Sequence, residues 1–162
     1  MKRLIPIIAL LLSCGEMESE VNPLVGEWVF VEQDNERLIT ALAHHYGSRD
    51  LAAETVREIP TTLNNYVLQF NADLTYSDSF GADGTWSATQ TDVTMSENYD
   101  ILAMPYVIMD SELVLSLRRL EMLILLYKNL GDDKYSEIAT VYRTAMPYFI
   151  DTPLVRLTFR RQ

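Results

Sequence analysis

The side chains best suited to chemistry are few and scattered along this 162-residue chain. His44 and His45 are its only histidines. Neighbours on a helix point about a hundred degrees apart, so the two are poorly placed to share a metal ion. Cys14 is the only cysteine, which excludes an intramolecular disulfide and any multi-cysteine metal site. Asp132 and Asp133 are adjacent carboxylates, but such residues ahead of an apolar helical pattern serve as caps more readily than as an acid and a base. A nucleophile-elbow serine, a His-Glu-x-x-His zinc motif and a phosphate-cradling glycine loop are all absent from the sequence. No group of residues defines a reaction, a metal or a cofactor, and binding is expected rather than catalysis. Recognition then falls to apolar side chains. Phe30, Phe70, Tyr76, Trp86 and Met95 are the candidate lining of a cavity for one small apolar ligand, with methionine as the adaptable member.

The elements that would position them centre on Tyr66 to Ser96. Tyr66, Leu68 and Phe70 alternate with Val67 and Gln69, and the alternation resumes at Leu74 and Tyr76 after Asn71-Ala72-Asp73. Period two marks strands with one buried face, and Asn and Asp suit the tight connection between them. Ser79 to Gly84 reads as a looser turn. Thr85 to Thr89 and Asp92 to Ser96 follow as further antiparallel strands, adding Trp86, Val93 and Met95 to the buried face. Upstream, Leu24 to Glu32 reads as a first strand, with Trp28 and Phe30 on one side and Val29 and Val31 on the other. Asp34 and Asn35 are then good N-cap residues for a helix carrying Leu38, Leu42 and Tyr46 that ends at Gly47. Ser48 caps a second helix, whose apolar side is Leu51, Ala52, Val56 and Ile59 and which Pro60 stops.

Downstream, Tyr99 to Met104 fits no single pattern, and Tyr106 to Met109 forms a hairpin with Leu113 to Leu117. From Arg118 to Leu130 the spacing favours a helix, with a strand through Met122, Ile124 and Leu126 as the alternative. Asp133 is placed to cap a further helix with Tyr135, Ile138, Tyr142, Ala145 and Phe149 on its apolar face, ending near Pro147. Leu154 to Arg161 closes the chain as a strand, expected beside the first, with Val155, Leu157 and Phe159 on one face. Helical insertions are thus expected at about 35–59 and 118–149. The first forms either a lid at a barrel mouth or a packing element on the outer face over Val29 and Val31.

At the N-terminus, Met1-Lys2-Arg3 is a short basic region and Leu4 to Leu12 is apolar but too short to span a bilayer, so residues 1–13 read as a signal peptide. Leu11-Leu12-Ser13-Cys14 resembles the lipobox of bacterial lipoproteins, which implies acylation of Cys14 and cleavage before it. Residues 14–22, acidic at Glu16, Glu18 and Glu20, read as a flexible tether, leaving 23–162 as one folded domain. Loss of Lys2 and Arg3 takes the formal charge from −10 to about −12, which repels nucleic acid and anionic headgroups. Membrane attachment therefore depends on the lipid at Cys14.

Gly26-x-Trp28, Leu68-x-Phe70 with Asn71-x-Asp73-x-Thr75, Gly84-Thr85-Trp86 and Leu113-x-Leu115, taken in order, resemble the bacterial lipocalin-like domain often carried by lipoproteins. The resemblance covers about half the mature chain, and the two helical insertions depart from it. It implies a mainly β chain with helices, built as an antiparallel up-and-down barrel. It also implies a late arginine packed across the tryptophan of the first strand: Trp28 with Arg161, or with Arg160 if the strand is bulged. The expected location is a bacterial envelope membrane, the outer rather than the inner. The expected partners are that membrane, a small apolar ligand and, as the competing reading of a filled barrel, another envelope protein.

Cys14→Ser should abolish palmitate labelling and move the protein from the detergent phase to the aqueous phase on phase separation. Continued labelling of the variant would show that the acylation site lies elsewhere.

Overall fold

A computed structural model describes residues 22–59, 63–118, 121, 132–148 and 153–162. The signal segment, Cys14 and most of the tether, Pro60, Phe149 and the predicted helix from Arg118 to Leu130, apart from Arg118 and Glu121, lie outside the described residues. The alternating runs become eight strands: β1 (Gly26–Asp34), β2 (Val67–Phe70), β3 (Thr75–Asp78), β4 (Asp83–Ala88), β5 (Asp92–Glu97), β6 (Asp100–Met109), β7 (Glu112–Leu117) and β8 (Val155–Arg161). Each pairs antiparallel with its neighbour in sequence, and β8 returns to β1, so the sheet closes into a barrel. Among the described residues the chain also forms helices α1 (Glu36–Tyr46), α2 (Arg49–Arg57) and α3 (Asp132–Ala145), the last followed by a 3-10 turn at Met146–Tyr148.

In an all-antiparallel barrel β1 and β7 run the same way, so the long connections that follow them leave from the same end. All three helices belong to those connections, and α1 packs on both α2 and α3 and touches β8. Leu38, Ala41 and Leu42 of α1, Ala52 and Val56 of α2 and Ile138, Ala139 and Tyr142 of α3 join the barrel's Trp28, Phe70, Trp86 and Phe159 in one buried cluster. Burying each large apolar side chain of this cluster contributes about 1.5–3 kcal/mol. At the opposite end the described chain enters through Asn22 and Leu24, where Leu24 is fully buried and its carbonyl accepts a 2.8 Å hydrogen bond from Trp28 Nε1.

Local chemistry explains most element boundaries. Gly47 ends α1 in the left-handed conformation, φ 68°, donating its N–H to Ala43 O, and Ser48 Oγ caps α2 by accepting from Leu51 N. Asp73 holds the β2–β3 turn by accepting from both the N–H and the hydroxyl of Thr75, which keeps its carboxyl below the ordinary aspartate range. Asp78 Oδ1 accepts from Phe80 N and Ala82 N in the next connection.

Several expectations are corrected. Leu24 and Val25 precede the first strand, which runs on to Asp34. Leu74 is half exposed with φ 66°, in the turn rather than on the buried face, and Leu51 faces solvent. Of the two candidate caps for α1, Asn35 makes no capping bond. Asp34 Oδ1 accepts from Glu36 N instead, while Asn35 Oδ1 takes a bond from Gln33 Nε2. Asp133 lies within α3, which begins at Asp132. Tyr99 lies in the turn, and from Asp100 onward the ambiguous segment is the first half of a ten-residue strand. Gly84 lies inside β4, not in the turn before it.

That last position is sterically closed. A Cβ on Gly84 would overlap the carbonyl of Ser96 on β5 and meet the Tyr76 ring at 2.9 Å. The obstacle is largely backbone, so Gly84→Ala should cost about 2–3 kcal/mol through displacement of the β3–β4–β5 ladder. A fall in the urea midpoint with little change in slope checks this; an unchanged midpoint would show that the ladder yields.

Candidate ligand-binding cleft

The geometry of the site begins with how β1 is shared. It pairs with β2 over Gly26 to Val29 only, opposite Phe70 to Val67, with one further hydrogen bond from Phe30 N to Tyr66 O. On its other side it pairs with β8 as far as Asp34, with a register shift between Phe30 and Glu32. One residue, Val31, is inserted there. A bulge of this kind reverses which side chains face inward: Trp28 and Phe30 lie opposite Arg161 and Phe159 before it, and Gln33 lies opposite Leu157 after it. Val31 is left 44% exposed, so the outer face of β1 at this point is not buried by the helices.

Beyond Val29, β1 and β2 separate, and the gap holds a cavity of about 430 Å³. It is lined by Phe30, Val31, Glu32 and Gln33 of β1, by Asn35 and Ile39, by Ala53, Val56 and Arg57 of α2, and by Ile59 and Asn64. The volume falls within the range of about 300–1,000 Å³ typical of small-molecule sites. Phe30, Ile39, Val56 and Ile59 are buried or packed against the core and form its apolar floor. Three carboxamides, Gln33, Asn35 and Asn64, and two opposite charges, Glu32 and Arg57, supply polar walls. Behind the floor, Phe30 meets Phe159 edge-on at 5.9 Å. Tyr66 contacts Phe159 at 6.0 Å and stacks on Phe80 at 4.9 Å.

Among the five residues expected to line a ligand cavity, Phe30 alone borders this cleft. Phe70, Tyr76, Trp86 and Met95 are buried inside the barrel and packed on one another and their neighbours. Phe70 and Trp86 meet edge-on at 5.2 Å, and Trp86 Nε1 donates to Asn71 O at 3.0 Å. That bond ties Trp86 to the β2–β3 turn, at the end of the barrel away from the helices. The missed residues, Gln33, Arg57 and Asn64 above all, left no signal that alternation could find. The bulge makes Gln33 inward-facing, and Asn64 comes from a connection.

Three tyrosines near the interior titrate high. Burial, then the nearby Asp78 carboxylate, which accepts a 3.0 Å bond from its hydroxyl, pushes Tyr66 well above the ordinary phenol range. Burial, with the carboxylates of Asp78, Asp83 and Asp100 behind it, raises Tyr76. Burial alone raises Tyr142, whose hydroxyl has no hydrogen-bond partner among the described residues. All three are neutral donors at physiological pH, and none is positioned as a base. His44 stacks on Tyr148 at 5.9 Å and His45 packs edge-on against Tyr46, so the histidines turn to different neighbours.

The far end of the barrel is fastened by Arg161. Its guanidinium lies 4.6 Å from the centre of the Trp28 ring and donates to Pro23 O, while Arg160 points outward and pairs with Glu112 at 3.1 Å. The β1 bulge falls beyond this pair and leaves the Trp28–Arg161 register intact. Comparison with known protein families, curated proteins and solved structures finds no match to this chain.

Arg161→Ala should lower stability by about 0.5–1.5 kcal/mol, since the cation sits over an aromatic face at a solvent-accessible edge, and Arg161→Lys should recover part of the loss. Denaturant midpoints followed by tryptophan fluorescence measure both. No loss in either variant would leave the contact without energetic weight.

Proposed function

We propose that this chain is a lipid-anchored protein of a bacterial cell envelope, held at the outer membrane through Cys14, whose lipocalin-like barrel carries a binding site for one small, largely apolar ligand. The observation that carries the reading is the 430 Å³ cleft with an apolar floor and a few polar groups on its walls, the ordinary composition of a ligand pocket. The site proposed is the cleft between β1 and α2 rather than the barrel interior, which Phe70, Trp86 and their neighbours occupy. Orientation supports it as well. The described chain enters at the end opposite the helices, so a tether from Cys14 would leave the cleft facing away from the lipid surface.

A second reading, docking of another envelope protein, draws on the outward side of β6. Ile101, Val107 and Met109 are 70%, 54% and 58% exposed and alternate with the buried Leu102 and Met104, giving the strand an apolar exterior. Exposed apolar patches of this sort mark contact surfaces.

The neutral fluorophore N-phenyl-1-naphthylamine tests the first reading, titrated against the full chain carrying Cys14→Ser so that no micelles compete. Saturable binding is expected, with at least a tenfold loss in Ala53→Trp, whose indole would fill the cleft from a half-buried position on α2. A flat titration of the parent protein, or full binding by Ala53→Trp, would overturn the cleft as the ligand site.

A further inference from the structure

Four successive residues, Phe30 to Gln33, line the cleft. Side chains along a strand alternate faces, and these four include the inward Phe30 and Gln33 as well as the outward Glu32. A cavity that touches all of them runs along the edge of β1, not over one of its faces. That edge is open. Pairing with β2 ends at Val29 apart from the bond from Phe30 N to Tyr66 O, whereas pairing with β8 on the other side continues to Asp34. Over Val31 to Gln33 the main chain is therefore part of a strand held by β8 on one side, through Glu32 and Gln33, and without a strand partner among the described residues on the side of the cleft.

An open edge presents peptide N–H and C=O groups at strand spacing, and each must find a hydrogen-bonding counterpart. A plain hydrocarbon supplies none, while an added strand supplies a matching row. The carboxamides of Gln33, Asn35 and Asn64 extend the same chemistry to the walls. Charge selects further. The two charged lining residues, Glu32 and Arg57, balance, and the chain as a whole carries −10, so its long-range field favours a cationic segment over an anionic one.

We infer that the cleft takes a short extended peptide segment, which pairs with the open edge of β1, sets one apolar side chain on the floor formed by Phe30, Ile39, Val56 and Ile59, and carries basic residues at the rim. The inference rests on the reading of the cleft as a binding site and names the class of ligand that site accepts. It accounts for a feature that an apolar small molecule leaves unexplained, namely a cavity lined by four successive residues of one strand, Phe30 to Gln33, beyond the end of its pairing with β2.

The probe is the peptide Gly-Lys-Val-Ile-Val-Lys-amide, carrying a neutral nitrobenzoxadiazole fluorophore on its N-terminal amine so that both lysines stay charged, and followed by anisotropy with the same full-chain Cys14→Ser protein. A second peptide has methyl groups on alternate backbone nitrogens, which removes the pairing donors and keeps side chains and charge. A third has glutamates in place of the lysines. Saturable binding of the first is expected, with at least a tenfold loss for each of the others and for the first peptide against Ala53→Trp. Equal affinity for the methylated peptide would overturn strand pairing, and equal affinity for the glutamate peptide would overturn the charge selection. If no peptide binds while N-phenyl-1-naphthylamine still does, the ligand class is wrong and the cleft remains a binding site. If neither binds, both readings fall.

Discussion

The return of β8 to β1 is the contact on which the rest of the structure depends. An eight-stranded sheet left open would expose two edges. The pairing from Trp28–Arg161 to Asp34–Arg156 removes both of those edges along nearly their whole length, leaving only the β2 side of β1 incompletely paired. Its register places Trp28 under Arg161 and Phe30 against Phe159, so hydrogen bonding and interior packing are satisfied by the same alignment. A slip of one residue would turn Val155, Leu157 and Phe159 outward together.

The same strand that closes the barrel also opens it. β1 has nine residues and β2 only four, so the two cannot remain paired along their length, and the excess of β1 continues as a strand only because β8 holds it. The bulge at Val31 increases local twist and carries the upper part of β1 away from β2. The helices follow at once from Asp34, and α2 comes to rest across the gap with Ala53, Val56 and Arg57 facing it. The cleft is thus a consequence of unequal strand lengths beside a helical insertion, and not a lumen within the barrel.

Much of the barrel was legible in the residues because each strand with a buried face and a solvated face carries the period-two pattern. Leu68 and Phe70, Val93 and Met95, and Val155, Leu157 and Phe159 are buried on the faces their spacing indicates. Legibility failed where two causes overlapped. β6 is apolar on both sides, Ile101, Ala103, Val107 and Met109 outward and Leu102 and Met104 inward, and Pro105 interrupts it, so no alternation survives. Leu74 satisfied alternation but sits at a turn position with positive φ, where backbone geometry overrides burial. The candidate site was less legible than the fold. Phe30 was identifiable because aromatic residues on a strand are normally buried, whereas Gln33, Asn64 and Arg57 meet only through a bulge and a connection that carry no periodic signal.

The division of polarity follows from these constraints. Inside the barrel, Trp86 and Trp28 each turn their single donor to a backbone carbonyl, Asn71 O and Leu24 O, so large aromatics are buried with their indole N–H groups satisfied. At the split between β1 and β2 the requirement reverses. Main-chain groups must remain near solvent or a partner, because burying them unpaired costs about 1–3 kcal/mol each. An apolar floor beneath such an edge cannot be closed by collapse of the surrounding side chains without stranding those groups. The cleft therefore persists as a half-polar opening beside a well-packed core, a physical reason to test the proposed binding at the strand edge rather than in the barrel's centre.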